Sequence, residues 1–361
     1  MLPDVRNQHD PGDEFIVDIP ICAYNHEKYI AQAIESVLMQ RTNFPFRLLI
    51  GEDCSTDKTG EIVQEFAKKY PTIIYPIFHE KNVGASQNTI ILFEHCIAKY
   101  IALLDGDDYW TDPYKLQKQV EFLDSHAEYV TCFHWADRLD EETGTITQKW
   151  WGPPEIKPFY TLDDLLEHCV FLPTCSVVFR NDVITTQNFP EFYEHVIMGD
   201  FVLHILLSRH GKIGFLDKPM AMYRVHEKGV CGGENNLLNF QRSIDLYTLV
   251  GNHFHITMRT SYRIGVAKLH FGAYNIYKSE GESFKALLAI YKVLKIAPNS
   301  MRRHLLGAGS IIQLMFPQLR NNIQFLRFVR IQGLRLLRRC CGEKMYRALK
   351  MWFHLLRGEK L

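Results

Sequence analysis

The sequence Asp-Gly-Asp-Asp at 105–108 combines residue types that suit metal chemistry, and it directly follows the apolar run 100–104. Three carboxylates within four residues repel one another, so a fold keeps them together where a cation or strong hydrogen-bond donors offset the repulsion. Mg²⁺ or Mn²⁺ bridging a diphosphate fits, because these ions take one or two protein carboxylates and complete their coordination with phosphate oxygens and water. The alternative is an ordinary acidic turn before a helix starting at Pro113, with Asp112 as its cap.

Two further polar stretches also follow strand-like apolar runs. In Gly-Glu-Asp-Cys-Ser-Thr-Asp at 51–57, a carboxylate can accept hydrogen bonds from a base N–H or a ribose hydroxyl, and the next helix can offer its N-terminus. The same residues also suit helix capping alone. At 19–30 a strand breaks into a polar turn, which is a weak signal by itself. Ligands of open α/β sheets bind beyond the carboxyl ends of the strands, where all three stretches fall.

The elements that must position these stretches alternate along residues 15–135. Apolar runs predict strands at 15–22, 46–53, 73–78 and 100–105, with amphipathic helices between them and a further helix from Pro113. This alternation favours an α/β fold with a parallel sheet covered by helices. After residue 136 the expected elements are a surface loop at 148–159, a helix at 161–168, a strand at 176–180, a helix at 199–210 and an extended segment at 212–226.

Taken together, the stretches resemble the family 2 glycosyltransferases of the GT-A fold. The motifs that carry the resemblance are Pro20, Ala23, Tyr24 and Asn25; Glu52, Asp53, Cys54, Ser55, Thr56 and Asp57; Asn82 and Gly84; and Asp105 to Asp108 with Tyr109 and Trp110. The resemblance covers about residues 15–230. It implies a GT-A fold, which is a Rossmann-like, mostly parallel sheet flanked by helices. The sequence adds a mainly helical C-terminal region.

The resemblance implies a nucleotide-sugar site in the first half of the chain. The implied binding residues are Pro20, Ala23, Tyr24, Asn25, Glu52, Asp53, Asn82, Asp105, Gly106 and Asp107. Asp53 is expected to contact the base, with Glu52 beside it. Glu52 stands where the family more commonly has Asp, which leaves the identity of the nucleotide open. Asp107 is expected to bind Mn²⁺ or Mg²⁺ directly, and Asp105 to contact the ribose or sugar or to assist with the ion.

The resemblance extends to the second half. The family usually carries an acidic pair at a helix start, where this chain has Gly199 and Asp200, so Asp200 is the expected catalytic base. His226 closes a Tyr-Arg-Val-His sequence and is expected to contact the metal or the diphosphate. Thr174 and Ser176 are expected to border the acceptor site. The alternatives are that Asp200 only stabilises its helix N-terminus and that His226 is structural.

A single base and a metal suit an inverting displacement, in which the base deprotonates an acceptor hydroxyl while the metal neutralises the leaving diphosphate. Arg224 and His226 are expected to supplement the metal. The expected donor is a UDP-sugar and the expected acceptor a saccharide or lipid-linked saccharide. Competing functions are a non-catalytic sugar- or nucleotide-binding module and a nucleotidyltransferase. A dinucleotide-dependent oxidoreductase is disfavoured because no Gly-x-Gly-x-x-Gly follows the first strand.

Composition places the chain among globular proteins, with 47% hydrophobic and 23% charged residues. The start lacks a secretory signal pattern, and no apolar run approaches the roughly 18 to 20 residues that span a bilayer. These features predict a cytoplasmic protein. The nine cysteines show no pairing pattern and are expected to be reduced.

The predicted domains are a polar segment at 1–14, a catalytic domain at 15–236 and a helical region at 237–361. The catalytic domain divides into a nucleotide-sugar half at 15–135 and an acceptor half at 136–236. From residue 298 onward, 13 Lys and Arg face two Glu. The segment 320–357 mixes arginines with apolar residues at helical spacing, which suits either docking on an anionic membrane or packing on the body. No nucleic-acid-binding module accompanies it.

Overall fold

The computed structural model of the protein describes residues 14–168, 172–196, 198–227, 229 and 236–297. The chain divides into two compact units, Met1–Gly233 and Glu234–Leu361. The candidate chemistry lies in the first unit. The basic segment 320–357 lies outside the described residues.

The first unit begins with four strands that alternate with three helices. These are β1 (Val17–Ala23), α1 (Ile30–Leu38), β2 (Phe46–Glu52), α2 (Thr59–Lys69), β3 (Ile74–Phe78), α3 (Ala85–His95) and β4 (Tyr100–Ala102). The strands are parallel and lie in the order β3-β2-β1-β4. The α/β class and the alternation expected in the first half are confirmed.

Strand β1 is covered on both faces, because successive side chains of a strand point to opposite sides. Four of its side chains pack in the main core together with apolar residues of α1: Val17, Ile19, Ile21 and Ala23. On the opposite face, Sγ of Cys22 lies 3.3 Å from Oγ1 of Thr89 in α3. A strand buried in this way gives a nearly continuous apolar run, which is why the sequence signal for β1 is clear.

The rest of the first unit extends the sheet to nine strands. Its elements are β5 (Tyr109–Trp110), α4 (Lys115–Ser125), β6 (Tyr129–Asp140), β7 (Ile146–Trp151), α5 (Leu162–His168), β8 (Val178–Arg180), α6 (Gly199–Ser208) and β9 (Lys212–Val225). The order continues from β4 through β8, β6 and β9 to β5, and β7 pairs with β6. Strands β6 and β9 are parallel, whereas β8 is antiparallel to both β4 and β6. This half of the sheet is therefore mixed.

The prediction of a surface loop at 148–159 was wrong in part, because residues 146–151 form β7. Five of the six residues of this strand are exposed, so it has no apolar alternation to reveal it. Its backbone pairs with β6, as at Arg138 and Thr147. The twelve-residue β6 was not anticipated either. It connects β7, β8 and β9, and such non-local pairing leaves little local signal.

The second unit is described by three helices, α7 (Asn236–His253), α8 (Thr260–Ser279) and α9 (Ser283–Ile296). Helices α8 and α9 share a small apolar core around Ala267, Tyr274 and Ile290. Gly281 stands in the turn between them with a φ of 75°, a left-handed conformation that glycine adopts without strain.

None of the helices in the described ranges is long and apolar enough to cross a membrane. Five cysteines fall within the described residues as free thiols: Cys22, Cys54, Cys96, Cys132 and Cys175.

Candidate active site

The acidic loop 105–108 follows β4 at the carboxyl edge of the parallel strands. An ideal Cβ placed on Gly106 would lie 2.5 Å from Nδ1 of His26 and 2.9 Å from the carbonyl oxygen of Cys22. Real Cβ atoms essentially never show contacts under 3.0 Å. Only glycine therefore fits at position 106, and the loop lies directly against the carboxyl end of β1.

Asp107 contacts His226, which follows the last residue of β9. Nε2 of His226 donates to Oδ2 of Asp107 at 3.0 Å, and the ring of Tyr29 lies against the imidazole with 4.7 Å between centroids. Burial opposes ionisation of Asp107, but the hydrogen bond from His226 and the charges of His26 and His226 outweigh it, so the pKa of Asp107 is lowered. The structure thus brings the two expected metal ligands together around an ionised carboxylate.

Asp108 faces inward, unlike its neighbour in the loop. It is 1% exposed, and its Oδ1 accepts the backbone N–H of Arg224 in β9 at 2.8 Å. Burial and the charges of Asp107 and Asp105 raise its pKa. Asp108 therefore joins the acidic loop to the strand that carries His226, so that Asp107 and His226 are held at a fixed separation.

Arg224 does not take the expected place beside the metal. Its guanidinium contacts the rings of Tyr29 and Tyr109, at 4.8 and 4.9 Å from their centroids. Nη2 donates to Oε1 of Gln32 at 2.6 Å, and Nη1 lies 3.2 Å from Oε1 of Glu141. The residue is only 5% exposed, so its charge is used to hold β9 against the start of α1.

Asp200 stands at the start of α6 and faces Thr174. Its Oδ1 accepts the backbone N–H of Phe201 at 2.8 Å, and its Oδ2 lies 3.5 Å from Oγ1 of Thr174. Burial raises the pKa of Asp200. Burial and the charges of Asp107 and Asp200 also raise the pKa of Asp105, to about 7. The carboxyl groups of Asp200 and Asp105 thus lie close together around the hydroxyl of Thr174. A carboxylate with a raised pKa suits a general base.

Ser176 does not join this group. It is fully buried, and its hydroxyl donates to the carbonyl oxygen of Pro173 at 2.7 Å. Its own carbonyl oxygen accepts a hydrogen bond from Nε2 of Gln119 at 2.8 Å. The expectation that Ser176 borders the acceptor is therefore wrong, because its hydroxyl closes a 3₁₀ turn at residues 174–176. Thr174 remains the candidate on that side.

Asp53 and Glu52 shape loops around the site. The two carboxylate oxygens of Asp53 accept the backbone N–H groups of Val83 and Gly84 at 2.7 and 2.9 Å, and Nδ2 of Asn82 donates to its carbonyl oxygen at 3.2 Å. Asp53 is 2% exposed, which leaves little surface for the expected contact with a base. Oε1 of Glu52 accepts the backbone N–H of Ser55 at 2.9 Å. Direct base contact by these two carboxylates stays a prediction.

The residues at the end of β1 divide into buried and open ones. Pro20 and Ala23 are buried within the strand, so neither is placed to line an open pocket as expected. Tyr24 is 43% exposed and free to pack against a ligand. Asn25 has a φ of 55°, and its Oδ1 accepts the N–H of Thr56 at 2.9 Å, which ties the β1 turn to the β2 turn. Tyr24 is thus the most accessible of the expected nucleotide contacts.

Two residues of the site were missed in the sequence. His26 lies against Gly106, and Tyr29 contacts both His226 and Arg224. Nδ1 of His26 is buried without a hydrogen-bond partner, and burial lowers its pKa. Their only sequence signal is that both fall within four residues after Asn25, in the turn before α1. Their contacts are with residues 80 to 200 positions away, which local patterns do not show.

The parallel half-sheet, with an acidic loop and a histidine at its carboxyl edge, has the arrangement of the GT-A fold. Residues 18–186 match the model of the family described as glycosyl transferase family 2. An uncharacterized protein of Mycobacterium tuberculosis is 36% identical over 208 residues, covering 58% of each chain. The putative teichuronic acid biosynthesis glycosyltransferase TuaG of Bacillus subtilis is 32% identical over 156 residues, covering 43% of this chain and 58% of TuaG.

Solved structures show the same fold at low sequence identity. Residues 1–349 of Staphylococcus aureus TarS in complex with UDP-GlcNAc give a TM-score of 0.57 at 17% identity, covering 80% of this chain and 83% of that one. The mannosyltransferase PcManGT of Pyrobaculum calidifontis, in complex with GDP-Man and Mn²⁺, gives a TM-score of 0.52 at 14% identity, covering 86% of this chain and 83% of that one. The chain spans 58% of the length of the M. tuberculosis relative.

Proposed function

We propose that the protein is a metal-dependent, inverting glycosyltransferase that moves a sugar from a nucleoside-diphosphate sugar to a hydroxyl acceptor. The observation that carries the proposal is the contact between Asp107 and His226, which lie 119 positions apart and meet at 3.0 Å. Beside them, Asp105 and Asp200 place two further carboxyl groups within electrostatic reach of one another. Such a grouping suits a diphosphate with its cation on one side and a proton acceptor on the other.

The donor set fits Mn²⁺ or Mg²⁺. Asp107 offers an ionised carboxylate, and His226 would offer Nε2 once the cation replaces the proton that Nε2 shares with Asp107. The other acidic residue of the loop, Asp108, is bonded to the backbone of β9. No cluster of three or more potential ligand side chains in metal-binding geometry occurs among the described residues. Two protein ligands accord with how Mg²⁺ is commonly held at phosphate substrates, where phosphate oxygens and water complete the coordination. When bound, the ion supplies Lewis-acid charge to the departing diphosphate.

Asp200 is the proposed catalytic base. It accepts the proton of the acceptor hydroxyl as that oxygen attacks the anomeric carbon, and the bond from this carbon to the diphosphate oxygen breaks on the opposite face. The pKa of Asp200 is raised by burial, which makes it a stronger base than an exposed aspartate. Thr174, 3.5 Å from its Oδ2, is placed to orient the carboxylate or the acceptor.

The proposed donor is a UDP-sugar and the proposed acceptor a saccharide or lipid-linked saccharide in surface polysaccharide synthesis. TarS in complex with UDP-GlcNAc shares the fold, which supports the donor class. The teichuronic acid name of TuaG supports the acceptor class. Exposed Tyr24 is the residue we assign to contact the nucleotide, with Asn25 holding its turn.

Donor screening followed by turnover tests the proposal. UDP-, GDP- and dTDP-sugars are screened with Mn²⁺ for a rise in unfolding temperature, because a ligand that binds only the folded form stabilises it. The best donor is then followed for nucleoside-diphosphate release with candidate acceptors. Asp200→Asn is expected to abolish transfer while binding of the donor persists. Near wild-type transfer by Asp200→Asn would show that the base is another residue.

The same assays separate the competing functions. A non-catalytic binding module would bind the donor with metal yet release no nucleoside diphosphate under any acceptor condition. A nucleotidyltransferase would release inorganic pyrophosphate from a nucleoside triphosphate and a sugar phosphate. Release of the nucleoside diphosphate from a nucleotide sugar, dependent on Asp200, supports only the glycosyltransferase.

We also propose that the protein works in the cytoplasm and that residues 320–357 dock on an anionic membrane surface. The support is the mixture of arginines and apolar residues in that segment. Co-sedimentation with anionic vesicles, comparing the full chain with a version ending at Ala297, tests this. Equal binding by the two would remove the membrane proposal and leave packing on the body.

A further inference from the structure

Gly199, directly before Asp200, has no room for a side chain. An ideal Cβ there would lie 2.9 Å from Oη of Tyr193, 3.0 Å from Cζ and 3.1 Å from Cε2. The hydroxyl end of Tyr193 therefore occupies the space that a side chain at position 199 would fill. Tyr193 thus fills the place of the acidic side chain that was expected, but is missing, before Asp200.

Tyr193 is held firmly in this position. It belongs to the 3₁₀ helix Glu191–His195, and its ring packs on Phe189 with 4.4 Å between centroids. The carbonyl oxygen of Val196, just beyond this helix, accepts a hydrogen bond from Ser86 of α3 at 3.1 Å. The residue is only 3% exposed. A packed ring on an anchored turn fixes the direction of its hydroxyl.

No hydrogen bond to the hydroxyl of Tyr193 occurs among the described residues, and its oxygen is not one of their fully enclosed polar atoms without a partner, so it keeps some contact with solvent. Burial raises its pKa, as do the charges of Cys22 and Asp200, so it stays protonated and can donate. Cys22 lies at the carboxyl end of β1, on the donor side of the site, where its own carbonyl oxygen borders Gly106. The hydroxyl thus lies against Gly199, the residue that directly precedes the proposed base.

A phenol hydroxyl that no protein group engages and that keeps contact with solvent is available to donate to a ligand and to accept from one. Its position beside Asp200 points to a partner that arrives with the substrate. Sugars present hydroxyl groups that both donate and accept, so a sugar hydroxyl satisfies the phenol directly.

We infer that Tyr193 is a specificity-determining residue, whose hydroxyl bonds a hydroxyl group of the transferred sugar where a side chain at position 199 would otherwise stand. This inference rests on the proposed function, since it assumes a nucleotide-sugar donor beside Asp200. It predicts that Tyr193 distinguishes a nucleotide sugar from its parent nucleotide.

The test compares affinities for the sugar-bearing and sugar-free ligands. UDP-glucose, UDP-N-acetylglucosamine and GDP-mannose are titrated with Mn²⁺ by calorimetry, each against UDP or GDP. Tyr193→Phe is expected to weaken binding of the best nucleotide sugar by about 3- to 10-fold, which corresponds to the loss of one neutral hydrogen bond. The affinity for the parent nucleotide is expected to stay unchanged. Gly199→Ala, which displaces the hydroxyl, is expected to lower the ratio of the affinity for the nucleotide sugar to the affinity for the parent nucleotide.

Tyr262→Phe is the matched control, because it removes a phenol hydroxyl bonded to the carbonyl oxygen of Tyr247 in the helical unit. It is expected to leave the ratio of the two affinities unchanged. An unchanged ratio in Tyr193→Phe, or an equal loss for sugar-bearing and sugar-free ligands, overturns the inference. Failure of the wild-type protein to bind any nucleotide or nucleotide sugar contradicts the proposed function itself, and the two failures are thereby distinguished.

Discussion

Substitution of Gly106 by alanine is expected to disrupt the acidic loop. The added Cβ would lie 2.5 Å from Nδ1 of His26 and 2.9 Å from the carbonyl oxygen of Cys22. The imidazole is a side chain and can shift, but the carbonyl belongs to the backbone of the central strand β1 and cannot move without it. The loop must therefore give way, and Asp107 moves with it.

The size of the effect follows from these contacts. Overpacking of this kind destabilises a protein by about 1–3 kcal/mol. A shift of about 1 Å in the groups that hold a substrate lowers turnover by about 100-fold. We therefore expect Gly106→Ala to unfold at lower urea concentration and to lose most of its donor turnover. Urea unfolding followed by circular dichroism and nucleoside-diphosphate release measure the two effects.

Gly60→Ala is the matched control. A Cβ at Gly60 would meet Oε2 of Glu52 at 3.5 Å, an ordinary van der Waals contact, in the first turn of α2. It is expected to leave turnover unchanged and stability equal or higher by up to about 1 kcal/mol. The double variant His26→Ala with Gly106→Ala is expected to recover only part of the loss, since the carbonyl of Cys22 still opposes the Cβ. Wild-type stability and turnover in Gly106→Ala would refute the steric reasoning.

Two further predictions concern the carboxylates. The pKa of Asp200 is raised by burial, so the fraction of ionised base grows as pH rises through that raised value. We expect the acid limb of kcat/KM to lie at higher pH than for an exposed aspartate, and a pH–rate profile with a limb near pH 4 would contradict this. Asp53→Ala leaves the N–H groups of Val83 and Gly84 without their acceptor. We expect a loss of about 1–3 kcal/mol in urea unfolding, and an unchanged midpoint would show that this loop does not depend on Asp53.

The first half of the fold could be predicted because its strands are buried on both faces. Strands such as β1 and β2 give long apolar runs, and their carboxyl ends coincide with the polar motifs. Strand β7 could not be predicted, because it is almost entirely exposed and is held by backbone pairing with β6. Hydropathy patterns report burial, so they do not reveal a strand of this kind.

The candidate site shows a similar division. Residue types and order in the chain identified Asp107, Asp200 and His226, which the structure brings to one edge of the sheet. The sequence did not distinguish carboxylates that face the site from those that hold the backbone. Asp53 and Asp108 have the same chemistry as Asp107, yet their oxygens accept N–H groups 30 and 116 residues away. Such long-range partners are set by the fold, and no local pattern contains them.

Calorimetric titration of the best nucleotide sugar, in Mn²⁺ and again in EDTA, tests the central claim most directly. The wild-type protein is expected to bind with Mn²⁺ and to lose at least about tenfold in affinity in EDTA, a change of 1.4 kcal/mol or more. Asp107→Ala is expected to bind weakly and equally in both conditions. Equal affinity of the wild-type protein with and without Mn²⁺ would contradict a metal-bound diphosphate at Asp107 and His226.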